Sequence, residues 1–179
     1  MNIFENTVLT NIFEPLTVFS EKGRKAATDN RQCFGLSFCL NGQITYKQNG
    51  KKFVSNISNA VLLPKNATYK IYGDKEGLFT VINFECKNLD IEEITVLPVK
   101  DSAQYIKDFN QLMNCFLHDN MRLRHFEILY RILGRLDSEQ INNPLSSILK
   151  YIETNISETN LTNKFLAKKM GISEVYLRK

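Results

Sequence analysis

The stretch CFGLSFCLNGQITYKQNGKKFV, residues 33–54, decides the fold. Its first half is an apolar run that predicts a strand, and its second half, GQITYKQNGKKFV, predicts a β-hairpin. Asn49 and Gly50 can take the positive φ angles that a two-residue type I′ turn demands, and the flanking residues alternate in character. This part of the chain is therefore predicted to pair in an antiparallel sheet.

The rest of the first hundred residues is also predicted to form short strands. NAVLLP (59–64) and GLFTVINFE (77–85) are nearly continuous apolar runs, and six of the eight glycines and three of the four prolines precede residue 100. Short strands at this spacing predict an antiparallel barrel or sandwich. Gly35, Ser37 and Cys39 share one face of their strand, and a face of such small residues can leave a cavity.

From Asp101 onward the apolar residues follow a helical period. The first stripe comprises Ile106, Phe109, Leu112, Met113, Phe116 and Leu117, and the second comprises Phe126, Leu129, Ile132, Leu133 and Leu136. Asp101 or Ser102 is predicted to cap the first helix, and the polar segment 118–120 separates it from the second. Residues 101–137 are thus predicted to form a helical hairpin, followed by a linker over 138–144 that contains Pro144.

The second stripe offers more apolar surface than a hairpin needs to cover one barrel. We therefore expect a twofold homodimer whose interface is Leu129, Ile132, Leu133 and Leu136, flanked by Arg131 and Arg135.

The last segment, LTNKFLAKKMGISEVYLRK (161–179), has the pattern of a helix-turn-helix. Ala167 is small where two helices would cross, and Gly171 can end the first helix in the left-handed conformation. Thr162 and Ser173 are suitable N-caps, and Leu166, Met170, Ile172 and Leu177 supply the buried positions. Residues 150–179 also carry six Lys or Arg against three Glu, as expected for a phosphate-binding element. The alternative is an ordinary α-hairpin at a domain edge.

This segment resembles a known family. ILKYIETNISETNLTNKFLAKKMGISEVYLRK (148–179) is similar to the opening of the DNA-binding domain of AraC-family transcriptional regulators, with its YI-x-x-N, LT-x-x-x-LA, Gly-turn and S-x-x-YL elements. The resemblance implies a truncated protein, because the family's domain holds two such motifs. FEILYRILGRL (126–136) resembles the second helix of the family's dimerisation hairpin.

The first hundred residues resemble the cupin-type regulatory domain of the same family. Asn59 and Asn66 stand where glycine is usual, Ala60 where aspartate is usual, and Tyr69 where histidine is usual. Asparagine tolerates the left-handed conformation, so we expect the turns to survive.

The sequence predicts two groups of functional residues. The candidate ligand pocket comprises Arg31, Ser37, Cys39, Tyr69, Phe79 and Val81, with Arg31 resembling a polar anchor in relatives; the alternative is that these are ordinary core or rim residues. The candidate DNA-binding residues in the full-length protein are Asn163 and Lys164, placed for phosphate, and Val175, Tyr176, Arg178 and Lys179, on or beside the outward face of the recognition helix.

The sequence gives little support for an enzyme. His118 and His125, its two histidines, lie far from the strands, whereas metal-binding cupins use a histidine cluster. No catalytic triad or phosphate loop is visible. We expect no catalytic residue, no metal and no cofactor.

The four cysteines, Cys33, Cys39, Cys86 and Cys115, form no C-x-x-C pair and are expected to be free thiols. The sequence shows no signal peptide and no stretch long enough to span a bilayer, so we expect a soluble cytoplasmic protein.

The complete prediction is an α+β chain: a cupin-like antiparallel β-barrel sensory domain (1–100), a dimerisation hairpin (101–137), a linker (138–144) and the truncated start of a helix-turn-helix domain (145–179). Its predicted function is the effector-sensing and dimerisation portion of an AraC-family regulator. Its predicted partners are a second copy, double-stranded DNA in the full-length protein and a small-molecule effector, without a membrane. The alternative is a cupin-like enzyme or a stand-alone small-molecule-binding protein with no DNA role.

Overall fold

The computed structural model describes residues 3–118, 121–140 and 162–170. The chain divides into two compact units, Met1–Gln140 and Ile141–Lys179. None of the helices in these described ranges is long and apolar enough to cross a bilayer.

The first unit begins with strands and ends with two helices. The strands are β1 (Val8–Ile12), β2 (Leu16–Ser20), β3 (Lys25–Thr28), β4 (Phe34–Cys39), β5 (Gln43–Gln48), β6 (Lys51–Ser55), β7 (Asn59–Leu63), β8 (Tyr69–Lys75), β9 (Gly77–Lys87) and β10 (Thr95–Pro98). The helices are α1 (Ser102–Phe116) and α2 (Arg122–Gln140).

The strands form two antiparallel sheets. The first sheet has the order β1-β9-β4-β7-β10, with β2 also paired to β9, and the second has the order β3-β8-β5-β6. The β5–β6 hairpin turns at Asn49 and Gly50, whose φ angles of 49° and 80° confirm the predicted turn. Asn66, at φ 65°, also takes the left-handed conformation expected of it, whereas Asn59 instead opens β7.

Strand β4 is buried on both faces. One face lies in the core between the two sheets, where Cys39 joins Val61, Phe79 and side chains of the second sheet. The other packs against the helices, with the ring of Phe38 stacked on Tyr105 of α1 at 5.1 Å between centroids. The apolar run is continuous because both faces of this strand are covered.

The apolar stripe of α2 is buried by contacts within the same chain. Leu129, Ile132, Leu133 and Leu136 are at most 2% exposed, in one core with residues of the first sheet such as Leu36. The prediction that these three leucines and one isoleucine form a dimer interface is therefore wrong. The outer face of the first sheet is itself apolar and takes up the whole stripe.

A buried carboxylate joins the two helices. Asp108 of α1 accepts hydrogen bonds from Arg131 Nη2 at 3.0 Å and from Arg135 Nη1 at 2.6 Å, both on α2. Its side chain is 3% exposed, and the guanidinium of Arg135 also lies over the Tyr105 ring. The two arginines thus bind inside the hairpin rather than flanking an interface with a second copy.

The ends of both helices are defined by polar contacts. Asp101 is the N-cap of α1, accepting from the backbone N–H groups of Ala103 and Gln104, as predicted. Helix α2 runs to Gln140, so the predicted linker is wrong over residues 138–140. Gln140 Nε2 donates to the Pro98 carbonyl, and such tertiary bonds hold this polar turn in a helix despite its lack of apolar periodicity. Residues 141–144 lie outside the described residues.

Replacing Asp108 with alanine should lower the free energy of unfolding by about 3 kcal/mol, because it removes the buried carboxylate that binds both arginines and leaves Arg135 without a counter-charge among the described residues. Equilibrium denaturation in urea measures this. Glu127→Ala is the matched control, since Glu127 also binds Arg131 but is 49% exposed, and it should cost less than about 1 kcal/mol. Equal losses from the two substitutions would contradict the structural role given to Asp108.

Candidate functional site

A cavity of about 170 Å³ lies between the two sheets of the first unit. Its apolar lining is Val18, Ile44, Leu63, Ile71, Phe79 and Val81. Five of the predicted pocket residues, Arg31, Ser37, Tyr69, Phe79 and Val81, line this cavity together. The volume slightly exceeds the roughly 150 Å³ of a cavity known to hold benzene, so it has room for about one ring or a short chain.

Arg31 is the main polar group of the cavity. Its Nη1 donates to the Tyr69 hydroxyl at 3.0 Å, and its Nη2 donates to Asn83 Oδ1. The backbone of Arg31 is fixed by hydrogen bonds to Ala67 and Asn66, which hold the residue against the segment before β8. Both side-chain partners are neutral, so the guanidinium has no carboxylate partner among the described residues.

Gly35 provides the space that the guanidinium of Arg31 occupies. A Cβ atom built on Gly35 would overlap Nη2 of Arg31. Glycine at this position therefore allows the arginine to lie directly against β4.

The other polar groups that line the cavity are hydroxyls and the exposed guanidinium of Arg24, which donates to the Phe19 carbonyl at 2.7 Å. Ser37 is fully buried, and neither its Oγ nor Nε of Arg31 makes a hydrogen bond of normal geometry to another described residue. Burial raises the pKa of Tyr46 to about 12, with the neighbouring Ser37 hydroxyl acting in the opposite direction, so this phenol stays protonated at neutral pH. Arg31 Nε is thus a buried donor without a partner, which is uncommon, and Ser37 Oγ, although close to the Tyr46 hydroxyl, is also suited to a ligand oxygen.

Cys39, predicted as a pocket residue, does not line the cavity. It lies on the same face of β4 as Ser37, but its Sγ donates to the Asn41 carbonyl at 3.1 Å at the end of the strand. Burial raises its pKa to about 11, which keeps it a thiol.

The described residues contain no cluster of three or more His, Cys, Asp or Glu that could hold a metal ion. His118 and His125 belong to the hairpin, where the ring of His125 stacks on Phe116 at 3.9 Å. The expectation that the protein binds no metal stays a prediction.

The second unit contributes helix α3 (Asn163–Met170). Thr162 Oγ1 accepts from the backbone N–H of Phe165 at 3.2 Å, as predicted for the N-cap, and Leu166 and Ala167 are buried. Asn163 and Lys164 are exposed in the first turn. The other candidate DNA-binding residues, Val175, Tyr176, Arg178 and Lys179, lie outside the described residues, as do Gly171 and Ser173.

Two facing antiparallel sheets around a cavity, followed by a helical hairpin, define a cupin-like α+β fold. Among solved structures the chain is similar to ToxT from Vibrio cholerae, with 11% sequence identity and a TM-score of 0.50, over 94% of this chain and 74% of the ToxT chain. ToxT is an AraC-family regulator. A second ToxT structure, bound to (E)-4-(8-methylnaphthalen-1-yl)but-3-enoic acid, matches with 12% identity and a TM-score of 0.51 over the same shares.

No protein-family model and no curated protein sequence matches the chain. At this level of identity the likeness to ToxT shows the fold, and it confirms the predicted cupin-like barrel followed by helices.

Several residues of the site were not predicted from the sequence. Asn83 had a usable signal, because it is a polar residue two positions after Val81 on the inward face of β9. Val18 and Ser20 of β2 had none, because their strand is mostly exposed and reaches the cavity as a result of its pairing with β9, which is distant in sequence.

Proposed function

We propose that this chain is the effector-sensing portion of a DNA-binding transcriptional regulator of the AraC type. The observation that carries the proposal is the guanidinium of Arg31, which faces an apolar cavity with two neutral partners and no carboxylate. A charged group so placed is costly unless it is paired, so an anionic group of a ligand is the missing partner. The similarity of fold to ToxT supports the proposal.

The effector we propose is a small carboxylate with an apolar body. The carboxylate would accept hydrogen bonds from Arg31 and Ser37, and the body would contact side chains such as Phe79 and Val81. A carboxylic acid with an aromatic body is bound in one ToxT structure, and this is the same chemical class. A body longer than one ring would extend toward the more exposed lining residues, Arg24 and Thr28.

Strand β4 offers a route from the cavity to the helices. Ser37 lies on its cavity face, and the next residue, Phe38, stacks on Tyr105 of α1. The guanidinium of Arg135 of α2 also lies over the Tyr105 ring and binds Asp108. A ligand that binds one arrangement of these side chains more tightly than another would shift the equilibrium between the corresponding arrangements of the hairpin.

We further propose that the second unit contacts DNA in the full-length protein and that the chain has no catalytic role. The exposed residues Asn163 and Lys164 suit phosphate contacts at the start of α3. Val175, Tyr176, Arg178 and Lys179 are retained as the proposed recognition residues on the strength of the sequence pattern alone.

The effector proposal predicts a selective thermal stabilisation. Hexanoate and benzoate should raise the melting temperature of the 179-residue chain, whereas the uncharged hexanol and benzyl alcohol should do so less. A ligand present at one hundred times its Kd stabilises by about 2.7 kcal/mol, which differential scanning fluorimetry detects easily.

Arg31→Gln should remove the preference for the carboxylates, since glutamine keeps a donor but not the charge. Arg122→Gln, on the exposed start of α2, is the matched control and should bind as the wild type does. Stabilisation by carboxylates that persists in Arg31→Gln would refute the role of Arg31, and no stabilisation by any of the four compounds would refute this effector class.

We also propose a homodimer through the hairpin, with contacts other than those predicted from the sequence. Leu117, Met121 and Leu123 are 74%, 41% and 86% exposed near the turn between the helices. An apolar group of this kind at the tip of a hairpin is suited to a twofold contact with its copy.

Leu117→Glu combined with Leu123→Glu should therefore convert a dimer to a folded monomer in sedimentation velocity experiments. Ile57→Glu, which alters an apolar residue that is 56% exposed in the turn before β7, should leave the dimer intact. A wild-type chain that stays monomeric at high concentration would contradict the proposal.

A further inference from the structure

The outer face of the second sheet carries three lysines in one row across three strands. Lys47 of β5 pairs directly with Lys52 of β6 on one side and with Lys70 of β8 on the other. All three are exposed, because the neighbouring residues Tyr46 and Tyr69 point into the core between the sheets. Neighbouring strands lie about 4.8 Å apart, so this lysine row spans about 10 Å.

The lysine row forms no ion pair with the described part of the chain. None of its three ammonium groups forms an ion pair there, whereas Lys51, on the opposite face of β6, binds Glu93 at 2.6 Å. Two carboxylates lie nearby without pairing with the row. Asp29 accepts a hydrogen bond from Thr68 Oγ1 at 2.7 Å, two residues before Lys70. Asp74 lies about 13 Å along β8 from Lys70, in a surface depression that Lys47 and Lys52 also line. Asp74 is itself occupied by hydrogen bonds from Thr45 at 2.6 Å and Gln43 at 3.3 Å.

Like charges directly opposite each other across strands destabilise a sheet. The free protein therefore holds this row against electrostatic repulsion, and a regularly spaced polyanion laid along it would relieve that repulsion. The rigid sheet fixes the spacing of the lysines at their backbone ends, which favours a partner whose charges are also regularly spaced.

We propose that the lysine row binds the phosphate backbone of double-stranded DNA without reading its sequence. One DNA strand advances about 3.4 Å per phosphate along the helix axis, so about three phosphates match the length of the row. A membrane surface fits less well, because Val54 is the one large apolar residue exposed on this face of the described sheet, and insertion into a bilayer needs more. This second DNA contact rests on the proposed function and is separate from the contact expected of the second unit.

The test measures binding of the 179-residue chain to a random-sequence duplex by fluorescence anisotropy between 50 and 200 mM salt. The triple variant Lys47→Gln, Lys52→Gln, Lys70→Gln should flatten the slope of log K against log salt by about 2.7, at about 0.9 for each lost phosphate contact. Over this fourfold rise in salt, the wild type should then lose about 40-fold more affinity than the variant loses. The variant should melt no lower than the wild type, because repulsion has been removed.

The matched control removes the same charge elsewhere. Lys87→Gln, Lys100→Gln, Lys107→Gln changes three exposed lysines away from the row and should leave the slope nearly unchanged. Equal slopes for the two triple variants would overturn the proposal, and so would a wild-type chain that does not bind the duplex at 50 mM salt.

Two further arms separate this proposal from others. Lys164→Gln tests the DNA contact of the second unit. If Lys164→Gln loses binding and the row variant does not, the lysine row is overturned and the proposed function stands. If the row variant loses binding and Lys164→Gln does not, the lysine row stands and the proposed DNA contact of the second unit is overturned. Vesicles of phosphatidylserine and phosphatidylcholine, and poly-glutamate, replace the duplex in parallel titrations. A row variant that loses binding to either of these but not to DNA would overturn the choice of partner.

Discussion

The structure depends on one strand, β4, whose two faces pack into two different cores. Strand β4 puts small residues on the face toward the cavity and large apolar ones on the face toward the helices, with hardly any of its surface left in water. Because side chains alternate along a strand, a shift of one residue in its register would put Phe38 into the cavity and Ser37 under the helices. The alternation in this single segment therefore sets both the volume of the cavity and the support of the hairpin.

Arg31 places a positive charge at the cavity beside β4. Its guanidinium reaches the cavity because Gly35 has no side chain, and Tyr69 and Asn83 orient it without neutralising it. Elsewhere in the first unit the buried charge is balanced, as at Asp108, which faces two arginines. This contrast is the reason we propose the cavity, rather than the hairpin, as the site for an external anion.

Local features were predictable from the sequence, and features that depend on distant parts of the chain were not. The turn at Asn49–Gly50 and the caps at Asp101 and Thr162 follow from residues only a few positions apart. Strands β1 to β3 gain their order from pairing with β9 and β8, more than forty positions away, and their own sequences show little alternation. Periodicity identified the apolar stripe of α2 correctly, but it could not tell whether the chain itself or a second copy covers that stripe.

A crystal structure of the 179-residue chain grown with benzoate would test the role of Arg31 most directly. We expect the carboxylate of benzoate within hydrogen-bonding distance of the Arg31 guanidinium and Ser37 Oγ, with its ring against Phe79 and Val81. A cavity that contains no benzoate at saturating concentration, with Arg31 still bound to Tyr69 and Asn83 alone, would contradict that role.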